Sequence, residues 1–218
     1  MKLVNQYHFE NVSVDVFYPN SFSEEKRYPA IFLNDGNFLE INKMHYEAII
    51  IGLTPANRND VYSPFEITNL DTRLGSFGGK GREYNEWLSN VLLPFLLEKH
   101  PIDKERMLYG GVSLGGLEAI YSLFFIDNFY GVFSICGSFW FPSFKDFAKE
   151  NRIVTHAKVV ILNGEKEESK NHNSIFGNAL EDAKEVAQSL NSKLIIDKYG
   201  HYGHIYERIS QVLKVYDL

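Results

Sequence analysis

The segment Gly110-Gly111-Val112-Ser113-Leu114-Gly115-Gly116 constrains this chain more than any other stretch. An apolar strand-like run, Met107 to Val112, leads into it, and a helical pattern, Leu114 to Phe125, leads out of it. A chain that turns from strand to helix at one residue has no room for side chains two positions before and after the corner. Gly111 and Gly115 stand at those positions. Such a corner lifts the Ser113 hydroxyl above a sheet. It also leaves the Leu114 backbone N–H at a helix N-terminus, where the dipole favours a developing anion. Gly-x-Ser-x-Gly is also a common pentapeptide in which the serine only caps a helix. The strand before and the helix after favour a nucleophile.

The rest of the chain fits a sheet that can carry such a corner. Ser13 to Tyr18 alternates polar and apolar residues, as a half-buried antiparallel strand does. Ala30 to Leu33 and Ala48 to Leu53 are continuously apolar, as strands covered on both faces are. Thr54 to Arg82 reads as a long connection rich in Gly, Asn and charge, the kind that often carries function. Glu83 to Lys99 has helical spacing with Pro94 inside it, which predicts a kink. Strands are then expected at Tyr130–Cys136, Lys158–Asn163 and Lys193–Tyr199, with helices at Ser174–Leu190 and Ile205–Tyr216. Strands alternating with helices predict one mainly parallel sheet covered on both faces, with its site in loops beyond the carboxyl ends of the strands. No repeat or linker divides the chain, so one domain over residues 1–218 is expected.

Composition excludes several classes. A formal net charge of −6 lacks the basic footprint of a nucleic-acid binder. No apolar stretch is long enough for a secretory signal or a membrane span, so a cytoplasmic protein without a membrane partner is expected. The lone cysteine, Cys136, can form no internal bridge. Self-association into a homo-oligomer is compatible with this composition.

A serine hydroxyl needs a base, and behind such a corner the acid and then the histidine follow in chain order. The loop after the last strand reads Gly200-His201-Tyr202-Gly203-His204. His204, at the loop–helix junction, is the preferred base and His201 the fallback. The spacing His201-x-x-His204 would suit a metal pair, but no third ligand follows at a recognisable distance, so neither metal nor cofactor is expected. His8, His45, His100, His156 and His172 fall where this order needs no base. The acid should lie just past Asn163, where Glu165, Glu167 and Glu168 compete; Glu167 is favoured. The loop Asn34-Asp35-Gly36-Asn37-Phe38 follows an early strand, and the Asn37 N–H is the expected second oxyanion donor. Phe139 and Trp140, in Ser138-Phe139-Trp140-Phe141, are the expected substrate-binding aromatics.

Several of these blocks together resemble a known family. They are Leu33-Asn34-Asp35-Gly36-Asn37, Gly52-Leu53, Asn57-Arg58, Tyr62-Ser63-Pro64-Phe65, Tyr84 with Leu93-Pro94-Phe95, the serine block through Leu117, and Ser138-Phe139-Trp140. The family is the Putative esterase (esterase D-like) family of the α/β-hydrolase superfamily. The resemblance implies an α/β-hydrolase fold: a mainly parallel twisted sheet with an antiparallel N-terminal strand, helices on both faces and no large cap domain. It also implies a carboxylic-ester hydrolase acting through an acyl-enzyme on a small-molecule ester, with Ser113 as nucleophile and His204 as base. A non-catalytic binding module on the same fold and an acyltransferase are the alternatives.

Overall fold

The apolar runs become the middle of a sheet because their neighbouring side chains point to opposite faces and both faces are covered. The computed structural model describes residues 1–71, 74–167 and 176–218. Its main sheet has eight strands: β1 (Lys2–Phe9), β2 (Val12–Tyr18), β3 (Tyr28–Asn34), β4 (Ile49–Pro55), β7 (Ile102–Val112), β8 (Gly131–Ile135), β9 (Lys158–Gly164) and β10 (Lys193–Asp197). The spatial order is β1-β2-β4-β3-β7-β8-β9-β10. From β4 to β10 every neighbouring pair is parallel; β1–β2 and β2–β4 are antiparallel.

The period of two is visible residue by residue. On β3, Ala30 and Phe32 enter one core, while Ile31 and Leu33 enter the other. On β9, Val159 and Ile161 divide from Val160 and Leu162 in the same way. The first core lies under α2 (Gly81–Trp87), α3 (Leu93–Lys99), α4 (Leu114–Ser122), α5 (Phe144–Glu150) and α6 (Ala179–Ser189). The second lies under α7 (Ile205–Leu213), which contributes Ile209, Val212 and Leu213. The expected α/β-hydrolase arrangement is therefore present, including an antiparallel N-terminal edge.

Three details differ from the sequence reading. β1 was not anticipated, because it is an edge strand with most of its residues at least partly exposed and so has little apolar pattern. The connection between Thr54 and Arg82 is not structureless. It holds α1 (Arg58–Val61) and a hairpin of β5 (Glu66–Asp71) with β6 (Gly75–Gly78). Pro94 does not simply kink one helix. A π-helical turn, Leu88–Leu92, joins α2 to α3 with helical dihedrals at both junctions, and Pro94 stands just after it.

Strand order reverses between β3 and β7. The chain proceeds from β3 to β4 on one side and from β7 to β8 on the other. Loops leaving the carboxyl ends of strands at such a switch point flank a crevice. Here they are the Asn34–Phe38 turn and the corner at Ser113.

Candidate active site

Ser113 ends β7 and caps α4 with φ 56° and ψ −121°, a conformation that L-residues rarely adopt. The surroundings hold it there. Its N–H donates to Ile135 O at 3.0 Å, and its carbonyl accepts from Ser138 N at 3.1 Å and from Gly116 and Leu117 N at 3.0 Å. A Cβ on Gly111 would sit 2.6 Å from the Gly115 carbonyl, and one on Gly115 would sit 2.9 Å from Asn34 Cβ. The corner thus exists only with glycine at both flanks, and strain at the serine persists because so many contacts oppose its relaxation. Asn34 braces the far side: its Nδ2 donates to Gly115 O at 2.9 Å, and its Oδ1 accepts from the buried Tyr84 and Tyr109 hydroxyls. The Ser113 hydroxyl meets Ser138 Oγ at 3.2 Å. Leu114 N–H lies in the first turn of α4, where amides lack intrahelical acceptors.

The acid and the histidine come from the loops after β9 and β10. Glu167 Oε2 meets His201 Nδ1 at 2.9 Å, and Glu167 Oε1 accepts from Gly164 N at 2.6 Å. Burial pulls the Glu167 carboxyl upward, but hydrogen bonds from His201, Cys136 and Gly164 N–H outweigh it and hold the group below the ordinary glutamate range. Ser113, Glu167 and His201 line one cavity of about 360 Å³ together with Leu74, Trp140, Phe176 and Ala179. A second cavity, of about 420 Å³, opens on the other side of Ser113 and His201, toward Phe38, Leu39, Arg58 and Ile205.

Of the residues expected from sequence, Ser113, Leu114 and Glu167 are brought together. Trp140 faces the cavity and meets Phe176 edge-on at 4.9 Å. His204 is not at the site. It takes a left-handed conformation as the N-cap of α7, its ring stacks on Tyr199 at 3.5 Å, and its Nδ1 lies 3.5 Å from Glu207. His201, the fallback, is the histidine that meets Glu167 and lines both cavities with Ser113. Asn37 also departs from expectation. Its N–H donates to Thr54 Oγ1 at 3.2 Å, and the residue lines neither cavity. Phe139 is fully buried and stacks on Phe144, so it supports the core and does not line the cavity. Glu165 is exposed. Glu168 and His172 lie outside the described residues.

Arg208 was missed by the sequence reading. It is buried on α7 and forms a two-pronged pair with Asp197, Nε to Oδ2 at 2.6 Å and Nη2 to Oδ1 at 2.9 Å. The same guanidinium donates to Gly200 O, His201 O and Cys136 Sγ at 2.8, 3.3 and 2.9 Å. It ties the histidine loop to the end of β10. The only signal in the sequence was a cation on the otherwise apolar face of the last helix.

The family model described as Putative esterase matches residues 9–211. YbbA of Bacillus subtilis (strain 168) is 28% identical over 193 residues, covering 82% of this chain and 77% of that protein. Among solved structures, the BES protein from Bacillus cereus is similar, with a TM-score of 0.73 at 20% identity, covering 96% of this chain and 93% of that one. The enterobactin and salmochelin hydrolase IroE superposes with a TM-score of 0.67 at 14% identity, covering 97% and 92%. At these identities the two structural likenesses speak for the shared fold.

Proposed function

The chain belongs to the Putative esterase family, and from that premise we propose that it hydrolyses carboxylic esters through an acyl-enzyme on Ser113, with His201 as general base and Glu167 as the acid that orients it. One observation carries the reading: a serine held at positive φ on a strand-to-helix corner shares a cavity with a hydrogen-bonded imidazole–carboxylate pair from the loops after β9 and β10.

The steps follow from the positions. Glu167 accepts the Nδ1–H of His201, which leaves the Nε2 lone pair free to take a proton. A change of Ser113 rotamer away from Ser138 turns its hydroxyl toward that nitrogen. As the Ser113 oxygen bonds to the ester carbonyl carbon, its proton passes to Nε2. The oxyanion that forms meets the Leu114 N–H and the positive end of α4. His201 then returns the proton to the departing alkoxide as the carbon–oxygen bond breaks. Water repeats the sequence on the acyl-enzyme and frees Ser113.

The two cavities divide the substrate. The side lined by Leu74, Trp140, Phe176 and Ala179 takes an apolar or aryl group of small to medium size. The side lined by Phe38, Leu39, Arg58 and Ile205 takes the other half of the ester. The likeness to IroE places siderophore esters in the assay panel beside short-chain, aryl and sugar esters.

Ser113→Ala should abolish turnover of p-nitrophenyl acetate while leaving the circular-dichroism spectrum and melting temperature close to those of the parent protein. A fluorophosphonate probe should label the parent chain at Ser113. Undiminished hydrolysis by the variant removes the mechanism, and a parent chain with neither turnover nor adduct returns the fold to the binding-module reading.

A further inference from the structure

The mechanism uses Glu167 and His201 but leaves their third neighbour, Cys136, without a role. Cys136 follows β8 with φ 51°, is fully buried, and lines the same cavity as Ser113. A potential ligand atom of each of Cys136, Glu167 and His201 lies within 4.8 Å of the others. A thiol, a carboxylate and an imidazole make a donor set suited to zinc and its softer congener cadmium.

We propose that these three side chains form a binding site for a thiophilic divalent cation, Zn²⁺ or Cd²⁺, and that an ion there switches the serine site off. The inhibitory half of this inference rests on the catalytic reading above; the binding half does not.

The geometry needs side-chain shifts of up to about an ångström. Zinc bonds of roughly 2.0–2.3 Å in a tetrahedron set ligand atoms roughly 3.3–3.6 Å apart. The His201–Glu167 contact at 2.9 Å must open by roughly half an ångström, and the sulfur, within 4.8 Å of the other two donors, must close in by up to about 1.2 Å. Electrostatics pull both ways, since burial and the Glu167 carboxylate hold the Cys136 thiol well above its ordinary range, so that the metal–sulfur bond itself must displace the proton. Arg208 abuts the sulfur, but its charge is matched by Asp197, so the Glu167 carboxylate leaves the pocket with a net negative charge. The Arg208 N–H on Sγ becomes a support for a metal-bound thiolate, as groups behind metal ligands commonly do. Solvent supplies the fourth ligand through the cavity.

Binding balances simply. The Cys136 thiol gives one proton to solvent as the metal–sulfur bond forms. His201 offers the Nδ1 lone pair, so its ring proton must sit on Nε2. That nitrogen is the one that takes the Ser113 proton, and Glu167 is occupied as well. A bound ion therefore removes the base and the acid together, without touching the serine.

The test is a titration of the Ser113→Ala chain with Cd²⁺, read by the thiolate-to-cadmium charge-transfer band in the ultraviolet. Cys136 is the only cysteine in the sequence, so the band reports this site alone. One equivalent of cadmium should raise the band and release one proton, whether or not the parent chain hydrolyses esters. Cys136→Ser should abolish the band. His201→Gln, which keeps the sulfur, should weaken binding by at least ~10–100-fold, the loss typical when even a supporting partner is removed. In the parent chain Zn²⁺ should inhibit ester turnover, with reversal by a chelator and an inhibition constant raised by a similar factor in Cys136→Ser. No band with a folded protein, or a band unaffected by His201→Gln, overturns the site. A band with zinc inhibition equal in the parent and Cys136→Ser chains overturns the switch.

Discussion

The corner that carries Ser113 and the loop that carries His201 meet at one point but are built by opposite means. The corner is specified locally. Gly111 and Gly115 open the space, β7 delivers the serine, and a bond to the Ile135 carbonyl and bonds from the Gly116, Leu117 and Ser138 amides fix it. The histidine loop is specified at a distance. One buried cation on α7 grips Asp197 at the end of β10, two loop carbonyls and the sulfur after β8. Under the proposed mechanism, a serine on a rigid corner and a histidine on a tethered loop would allow the base to be repositioned by substitutions that leave the nucleophile intact.

Breaking the tether should produce the largest loss of stability. Arg208→Met leaves Asp197 buried beside an apolar side chain, and removing one partner of a buried pair costs about 3–5 kcal/mol. Chemical denaturation should show a loss of that order. Any folded fraction should label slowly with a fluorophosphonate, because the loop carbonyls have lost their donor. A variant as stable and as reactive as the parent would show that the loop holds itself.

The two regions also respond oppositely to pH. Behind the corner on α4, Glu118 is fully buried and, among the described residues, neither carboxyl oxygen has a hydrogen-bond partner. Burial pushes its carboxyl far above the ordinary value of 4.5, and the nearby Asn85 amide opposes this only weakly. A carboxyl whose folded-state pKa is raised binds its proton more tightly in the folded chain. It therefore lowers stability progressively as pH rises above the unfolded value. Glu167 is the reverse case, since its folded-state value is lowered, and its contribution is present above 4.5 and lost as pH falls below it. Glu118→Gln removes the first effect. Its stability relative to the parent should rise with pH above 4.5, at a slope of at most ~1.4 kcal/mol per pH unit. A difference that stays flat between acid and neutral pH would mean that Glu118 is not protonated in the folded chain.

The same contrast explains what could be read from the sequence. The corner was legible because the glycines it needs lie within seven residues, and the parallel core was legible because β3, β4, β8 and β9 are apolar on both faces. Glu167 was favoured by its place just past a strand. The choice between His201 and His204 was not legible, because it depends on Arg208 holding the carbonyls of residues 200 and 201 and on Tyr199 capturing the His204 ring. The partner of the Asn37 N–H, Thr54 on a neighbouring strand, is not visible in the local sequence. Phe139 and Trp140 are adjacent in sequence but point to different places, since the positive φ at Cys136 ends the strand alternation that would have assigned them.

The most direct test is a comparison of kcat/KM for a p-nitrophenyl ester between His201→Ala and His204→Ala. If His201 is the base that Glu167 orients, the first variant should lose at least ~10²–10⁴-fold, the usual contribution of a general base, and the second should stay within a few-fold of the parent. Loss confined to His204→Ala, with His201→Ala fully active, would contradict the account.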